Sequence, residues 1–102
     1  MSGRVEQFAA LVAQHPENGL FRFSLAQALI AGGRADAAVP HLEFCIRQKA
    51  DWMLPRILLG QQLLASGQPA TAKPLLEEAL RLAIEQDHQD PADELRALLQ
   101  SL

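Results

Sequence analysis

The sequence is poor in cysteine, in aromatic residues and in long apolar runs. It contains one cysteine, one tryptophan, four phenylalanines and no tyrosine among 102 residues. A single cysteine excludes an internal disulfide. No apolar run approaches the ~20 residues that a membrane-spanning helix needs, and Arg4 and Glu6 interrupt any apolar core of signal-peptide length near the start of the chain. We therefore expect a cytoplasmic protein that does not enter the membrane.

Basic residues are too few and too scattered to indicate binding to nucleic acid or to an anionic membrane. Nine Lys and Arg stand against 12 Asp and Glu, which gives a formal net charge of −3, and no run of Lys or Arg occurs. Hydrophobic residues make up 49% of the chain and charged residues 21%. This composition is that of a globular protein, and the length allows one domain with a modest core.

What the sequence does contain is an internal repeat. At an offset of 34 residues, the separation of Gly33 and Gly67, residues 19–52 align with residues 53–86. The aligned identical pairs are Leu20/Leu54, Arg22/Arg56, Leu25/Leu59, Gln27/Gln61, Leu29/Leu63, Ala31/Ala65, Gly33/Gly67, Ala38/Ala72, Pro40/Pro74, Leu42/Leu76, Glu43/Glu77 and Arg47/Arg81. Self-similarity at this period indicates stacked helical hairpins.

The spacing within each copy resembles the tetratricopeptide repeat (TPR), whose pattern is W-x2-L-G-x2-Y followed by A-x3-F and P. The copies read Arg22-x2-Leu25-Ala26-x2-Leu29 with Ala38-x3-Leu42, and Arg56-x2-Leu59-Gly60-x2-Leu63 with Ala72-x3-Leu76. Both copies replace the leading aromatic by Arg and the Tyr by Leu. The resemblance covers about residues 4–86 and implies a small, free-standing bacterial TPR protein with about two repeats.

This resemblance implies an all-α solenoid of TPR-like hairpins, a right-handed superhelix of about six helices in a single domain over residues 1–102. We expect an N-terminal helix within residues 4–15, with Val5, Phe8, Leu11 and Val12 on one face. Repeat 1 occupies residues 19–52 and repeat 2 residues 53–86. Residues 91–102 form a C-terminal capping helix, because a solenoid must cover its last apolar face. Its stripe is Leu95, Leu98, Leu99 and Leu102.

Residues that favour helix ends punctuate these segments. Asn18 and Asp51 are predicted caps for the first helices of the two repeats, and Asp90 caps the last helix with Pro91 at its first position. Gly33 and Gly67 are predicted to end helices in left-handed backbone. Pro69 suits the first position of a helix. Pro40 and Pro74 remove a backbone donor, so each second helix should start late or bend near its first turn.

Catalytic and metal-binding constellations are weak. His41 and Cys45 have i, i+4 spacing, but a tight zinc site needs three or four ligands and there is no second cysteine. Asp87 and His88 with Asp90 form a loose acid–base pattern that also fits a helix end and a cap. We expect no cofactor, no metal and no enzymatic activity. A small metal- or thiol-dependent enzyme using His41 and Cys45 is the remote alternative.

The TPR resemblance places a binding face on the first helix of each repeat. Its candidate residues are Leu20, Phe23, Gln27, Ile30, Leu54, Ile57, Leu58, Gln61 and Leu64. Some TPR domains hold a carboxylate terminus of chaperones there with Lys, Asn and Arg. The corresponding positions are Phe23, Gln27 and Leu58, which lack the positive charge, so that mode of binding is rejected. Glutamine can instead satisfy a backbone N–H and C=O of a bound segment.

The sequence therefore predicts a non-catalytic interaction or scaffold module that binds a peptide or helix on an apolar concave face. The alternative is a TPR module that associates with itself as a homodimer. Arg22 and Arg56 stand where the family has an aromatic residue. Both structural use, with the alkyl stem over the core and a carboxylate such as Glu43 or Glu77 as partner, and contact with a ligand remain open.

Overall fold

The computed structural model describes residues 3–102, and over these residues every regular element is an α-helix. The helices are α1 (Gly3–Gln14), α2 (Gly19–Ala31), α3 (Ala35–Gln48), α4 (Met53–Ala65), α5 (Pro69–Glu85) and α6 (Gln89–Gln100). The chain divides into two compact units, one ending at Ala50 and the other comprising Asp51–Leu102. The all-α fold of sequential hairpins is confirmed, whereas the single domain stays a prediction.

In the first unit, α2 packs against α1 and α3. Leu25, Ala26 and Leu29 of α2 are buried, as are Ala38, Leu42 and Cys45 of α3. On each helix these residues recur at the 3.6-residue period of a face that packs against a core. The predicted apolar face of α1 is half-buried. The first unit is therefore a hairpin, α2–α3, with α1 against one side.

The second unit repeats this hairpin with α4 and α5, and α6 packs against α5. Its core holds Leu76, Ala79 and Leu82 of α5 together with Ala92 and Leu95 of α6. Leu98 and Leu99 pack on this core, as predicted. Leu102, however, lies beyond the helix and is exposed, so its assignment to the stripe was wrong. Helix α6 thus covers the apolar face of α5, as expected of a cap.

Three hairpin turns share one hydrogen-bonding pattern at the end of α2, α4 and α5. The N–H groups of Gly33, Gly67 and Asp87 donate to the carbonyls of Ile30, Leu64 and Ile84. In each turn, the N–H of the following residue donates to the carbonyl of the residue that directly precedes this acceptor. The three residues have φ of 79°, 77° and 62°. This is the Schellman turn, which places its central residue in left-handed backbone. The prediction for both glycines is confirmed, and Asp87 occupies the same place in the third turn.

Two of the predicted caps are wrong. Asn18 does cap α2, since its side chain accepts a hydrogen bond from the Phe21 N–H at 3.0 Å. At α4 the cap position is Trp52, one residue after Asp51, and at α6 it is His88, because the helix begins at Gln89. Neither position provides a side-chain cap to the helix. Asp90 and Pro91 therefore lie inside the first turn of α6.

Pro40 and Pro74 lie in the second turn of α3 and α5, and neither helix starts late. Proline frees the carbonyl four residues earlier from its helical hydrogen bond. Those carbonyls belong to Asp36 and Ala70, which are exposed, so water can satisfy them. The helices begin at Ala35 and at Pro69, the latter as predicted. Of the two predicted outcomes, the late start is therefore excluded, and the bend stays a prediction.

Candidate protein-binding surface

The identical residue pairs of the two repeats fall into groups by burial. Leu25/Leu59, Ala38/Ala72 and Leu42/Leu76 are buried in both copies, so packing explains them. Gly33/Gly67 are explained by their left-handed backbone. On the first helix of each hairpin, three further pairs are exposed in both copies, namely Leu20/Leu54, Gln27/Gln61 and Ala31/Ala65. Neither packing nor backbone geometry requires these residues.

The exposed pairs lie on one face of each helix. The spacing i, i+7 and i+11 keeps residues in register on an α-helix. Leu20 is 69% exposed and Leu54 45% exposed, which makes them two of the four large hydrophobic residues that are exposed in residues 3–102. Ser24 and Leu58, each one turn after the leucine, are half-buried on the same side. We call Leu20, Ser24, Gln27 and Ala31 the α2 stripe, and Leu54, Leu58, Gln61 and Ala65 the α4 stripe.

The other candidate residues of the binding face are more buried than an open contact surface requires. Phe23 is only 8% exposed. Ile57 and Leu64 pack against the core of the second unit, and Ile30 is half-buried. Within each unit the surface therefore presents mainly leucine and glutamine from the predicted set. The assignment of all nine residues to a binding face stays a prediction.

Arg22 has a structural role within the first unit. Its Nε donates to the Pro16 carbonyl at 2.8 Å, and its guanidinium lies 4.1 Å from the centre of the Phe44 ring. One of its terminal nitrogens is 3.4 Å from His41 Nδ1. A cation–π contact of this kind is favourable by about 0.5–1 kcal/mol or more. Arg22 thus connects the α1–α2 turn to α3, using an aromatic partner and not the predicted Glu43.

In the second unit, the arginine at the equivalent position, Arg56, has a different environment. Glu78 stands where the first repeat has Phe44. A hydrogen bond from Arg81 lowers the pKa of Glu78, and the positive charge of Arg56 acts in the same direction. The charge of Arg56 therefore acts on a carboxylate, whereas the guanidinium of Arg22 lies over a ring. In repeat 1, the aromatic ring beside this position therefore comes from Phe44 on the second helix.

Two glutamine side chains close the hairpins in a way that the sequence pattern did not reveal. Gln48 Nε2 donates to the Glu17 carbonyl at 2.6 Å, and Gln86 Nε2 donates to the Asp51 carbonyl at 2.7 Å. Glu17 and Asp51 are equivalent in the repeat, directly before the cap position of the first helix. Gln48 and Gln86 are one helical turn apart in repeat register, so the alignment could not pair them.

The repeated hairpin is that of a known protein family. The tetratricopeptide repeat model matches residues 19–43 and 53–78, which together make up half of the chain. These segments are the α2–α3 and α4–α5 hairpins without the last turns of their second helices. The chain belongs to the tetratricopeptide repeat family. TPRs are protein–protein interaction modules and are typically non-catalytic.

A solved structure is similar to this protein over nearly the whole chain. The solution structure of protein BPP2914 from Bordetella parapertussis is similar, with a TM-score of 0.80 and 29% sequence identity. The alignment covers 99% of this chain and 88% of that one. The similarity therefore includes α1 and α6 as well as the two TPR hairpins. No curated protein matches the chain.

The single cysteine of this TPR protein is placed for packing. Cys45 is fully buried, and its Sγ donates to the Gly19 carbonyl at 3.5 Å. Burial raises the pKa of the Cys45 thiol to about 11, although the Arg22 charge acts in the opposite direction. The thiolate, which is the reactive form, is therefore scarce near neutral pH. This environment weighs against the thiol chemistry that we considered for His41 and Cys45.

Within the part of the chain that the structure describes, His41 and the acidic loop residues do not assemble into a metal site. Burial, followed by the nearby Arg22 charge, lowers the pKa of His41, so its ring is mainly neutral near pH 7. Within residues 3–102, no three side chains of His, Cys, Asp or Glu lie close enough to hold a metal ion. No helix in that range is long and apolar enough to cross a membrane.

Proposed function

We propose that this TPR protein is a non-catalytic interaction module in which the exposed face of α2 and the exposed face of α4 each bind a polypeptide segment. The observation that carries the proposal is the repetition of exposed Leu and Gln at Leu20/Leu54 and Gln27/Gln61. Exposed leucines are costly to leave in water and are worth about 1.5–3 kcal/mol each when they are fully buried. Their repetition on both hairpins is accounted for by contact with a partner.

The chemistry of the two stripes selects an uncharged, largely apolar partner segment. Neither stripe contains a charged residue. Leucine supplies apolar area, and each exposed carboxamide offers both a donor and an acceptor to the partner's backbone or side chains. An acidic tail would find no positive charge on either stripe, and so we exclude the carboxylate-binding mode of other TPR domains.

A display experiment with random peptides tests this function. Phage that carry random peptides are selected on the immobilised full chain, and the enriched peptides are then synthesised and titrated. We expect apolar, uncharged peptides whose affinity falls at least tenfold on Leu54→Glu, because a buried leucine contact of this size corresponds to one or two powers of ten. Leu54 is a better target than Ile57, which packs on the core of the second unit.

The matched control is Ile84→Glu. Ile84 is 55% exposed, lies in the same unit as Leu54 and belongs to α5, so it is not part of the α4 stripe. Its substitution introduces the same charge at a similar exposure and should leave peptide affinity unchanged. The proposed site would be contradicted if Ile84→Glu lowered peptide affinity as much as Leu54→Glu does. It would also be contradicted if neither Leu54→Glu nor Leu20→Glu lowered the affinity.

A further inference from the structure

Charge is distributed unevenly over the helices. All acidic residues of the chain, and all basic residues except Arg22 and Arg56, lie outside α2 and α4. Arg22, the one charged residue of α2, directs its guanidinium to the Pro16 carbonyl and the Phe44 ring. The α2 stripe is therefore uncharged, and it contains Leu20, the most exposed of the large hydrophobic residues in the described range.

An uncharged stripe suits contact between two copies of one chain. Copies with a net charge of −3 repel each other unless the shared surface avoids facing like charges. In a two-fold symmetric interface, the same patch must also be complementary to itself. These two requirements exclude most of the charged helices as the contact surface of a dimer, and the α2 stripe remains as a candidate for it.

The α2 stripe is self-complementary when two copies run antiparallel. If the symmetry axis passes between Leu25 and Ala26, Leu20 of one copy faces Ala31 of the other, a large side chain against a small one. In the same register the Gln27 carboxamide faces the Ser24 hydroxyl, so a donor meets an acceptor. The stripe spans about 16 Å along the helix, at about 1.5 Å per residue. Polar and apolar groups therefore match along its whole length.

The α4 stripe does not match itself in this way. Leu58 stands where α2 has Ser24, so in the equivalent antiparallel register Gln61 would face a leucine. Covering a carboxamide without a hydrogen bond is unfavourable. The two stripes therefore differ in partner, although they share leucine, glutamine and alanine.

We propose that the α2 stripe is the contact surface of a symmetric dimer of this chain, formed by antiparallel packing of α2 against its copy. The inference rests on the proposed function, because it names the polypeptide segment that one of the two faces binds. In this arrangement the α4 stripe of each copy remains available for a different protein.

Sedimentation equilibrium of the full chain tests the dimer, at concentrations from about 1 μM to 1 mM, the range of weak to moderate dissociation constants. The wild type should sediment as a monomer–dimer system. Leu20→Glu should weaken the dimer roughly 100-fold or more, because the two-fold axis removes each leucine contact twice. Ser24→Leu should weaken it at least about tenfold, since Gln27 loses its partner in both copies. Ile84→Glu should leave it unchanged.

Isotope-filtered nuclear Overhauser spectra of a mixed labelled and unlabelled sample give the register directly. Contacts between Leu20 and Ala31 methyl groups of different copies are expected, and intermolecular contacts without this pair would overturn the antiparallel register. Circular dichroism of each variant checks that it remains helical.

A wild type that is monomeric throughout the range would overturn the dimer but not the proposed function, which the peptide selection decides independently. Dissociation by Leu54→Glu as strong as by Leu20→Glu would overturn the assignment to α2.

Discussion

The Schellman turn after α4 gives a quantitative test of the hairpin register. Gly67 has φ of 77°, and a Cβ added there would meet no atom within 4 Å. The cost of Gly67→Ala is therefore conformational and not steric. Left-handed backbone costs an L-residue about 1–2 kcal/mol, and the smaller entropy of the unfolded alanine chain offsets about 0.4–1 kcal/mol of this. A net destabilisation of about 1 kcal/mol is expected.

Asp87 provides the opposite substitution in the same unit. It occupies the equivalent place in the turn after α5, with φ of 62°. Asp87→Gly should relieve backbone strain and raise the free energy of unfolding by about 0.5 kcal/mol, the gain being small because aspartate tolerates this conformation better than most residues. Gly67→Ala is therefore expected to lower the free energy of unfolding, and Asp87→Gly is expected to raise it.

Urea denaturation followed by circular dichroism at the helix band measures both effects. With a slope of about 1 kcal/mol/M, Gly67→Ala should lower the midpoint by about 1 M. Gly67→Asn is the control, because asparagine is the residue that most often replaces glycine in this turn, and it should cost less than alanine. An unchanged midpoint for Gly67→Ala, or a destabilising Asp87→Gly, would refute the assigned backbone geometry.

Substitutions at three other positions test packing and charge. Gly60→Ala places a Cβ 2.6 Å from Leu76 Cδ2. The resulting overpacking should lower stability by about 1–3 kcal/mol, which exceeds the gain of up to about 1 kcal/mol in helix propensity. The melting temperature should therefore fall. The pKa of Cys45 rises on folding from 9.0 to about 11, so the stability of the protein should be complete below pH 9 and should decline between pH 9 and 11. Cys45→Ala should remove this decline, and thermal melts of the wild type and the variant across this pH range measure it. Arg22→Ala should lower stability by about 1–2 kcal/mol in urea titrations through loss of the Pro16 and Phe44 contacts, with Arg22→Met recovering part of it through its alkyl stem. A flat alkaline profile, or neutral effects of Gly60→Ala and Arg22→Ala, would contradict these readings.

Sequence reasoning succeeded where one physical cause dominates. The repeat at Gly33 and Gly67 predicted the hairpin turns because left-handed backbone strongly favours glycine. The periodic leucines of the last helix predicted that Leu95, Leu98 and Leu99 pack on the core, since burial on a helix follows the 3.6-residue period. Asn18 was a correct cap because a polar side chain with the right reach stands directly before an apolar stripe.

The failures involve competition between neighbouring or distant groups. Asp51 lies one residue before the cap position at Trp52, and its carbonyl receives the Gln86 side chain from the far end of the hairpin. Such side-chain contacts across the hairpin leave no local signature. The same holds for Arg22, whose partner Phe44 lies on α3, and for Phe23, whose burial depends on tertiary packing.

The candidate face was predictable only in outline. The positions on the first helix of each repeat follow from the register, but burial separates exposed Leu20, Leu54, Gln27 and Gln61 from the more buried Phe23, Ile57 and Leu64. That separation depends on how neighbouring helices cover each side chain. A single sequence does not record it.

The most direct measurement of the central claim is a methyl- and amide-detected NMR titration of the full chain with a peptide from the display selection. We expect saturable chemical-shift changes at the Leu54 methyl groups and the Gln61 carboxamide, whereas the Ile84 signals should not change. In Leu54→Glu, the change at the Gln61 carboxamide should be lost. Shifts confined to α5, or binding that persists unchanged in Leu54→Glu, would contradict the central claim.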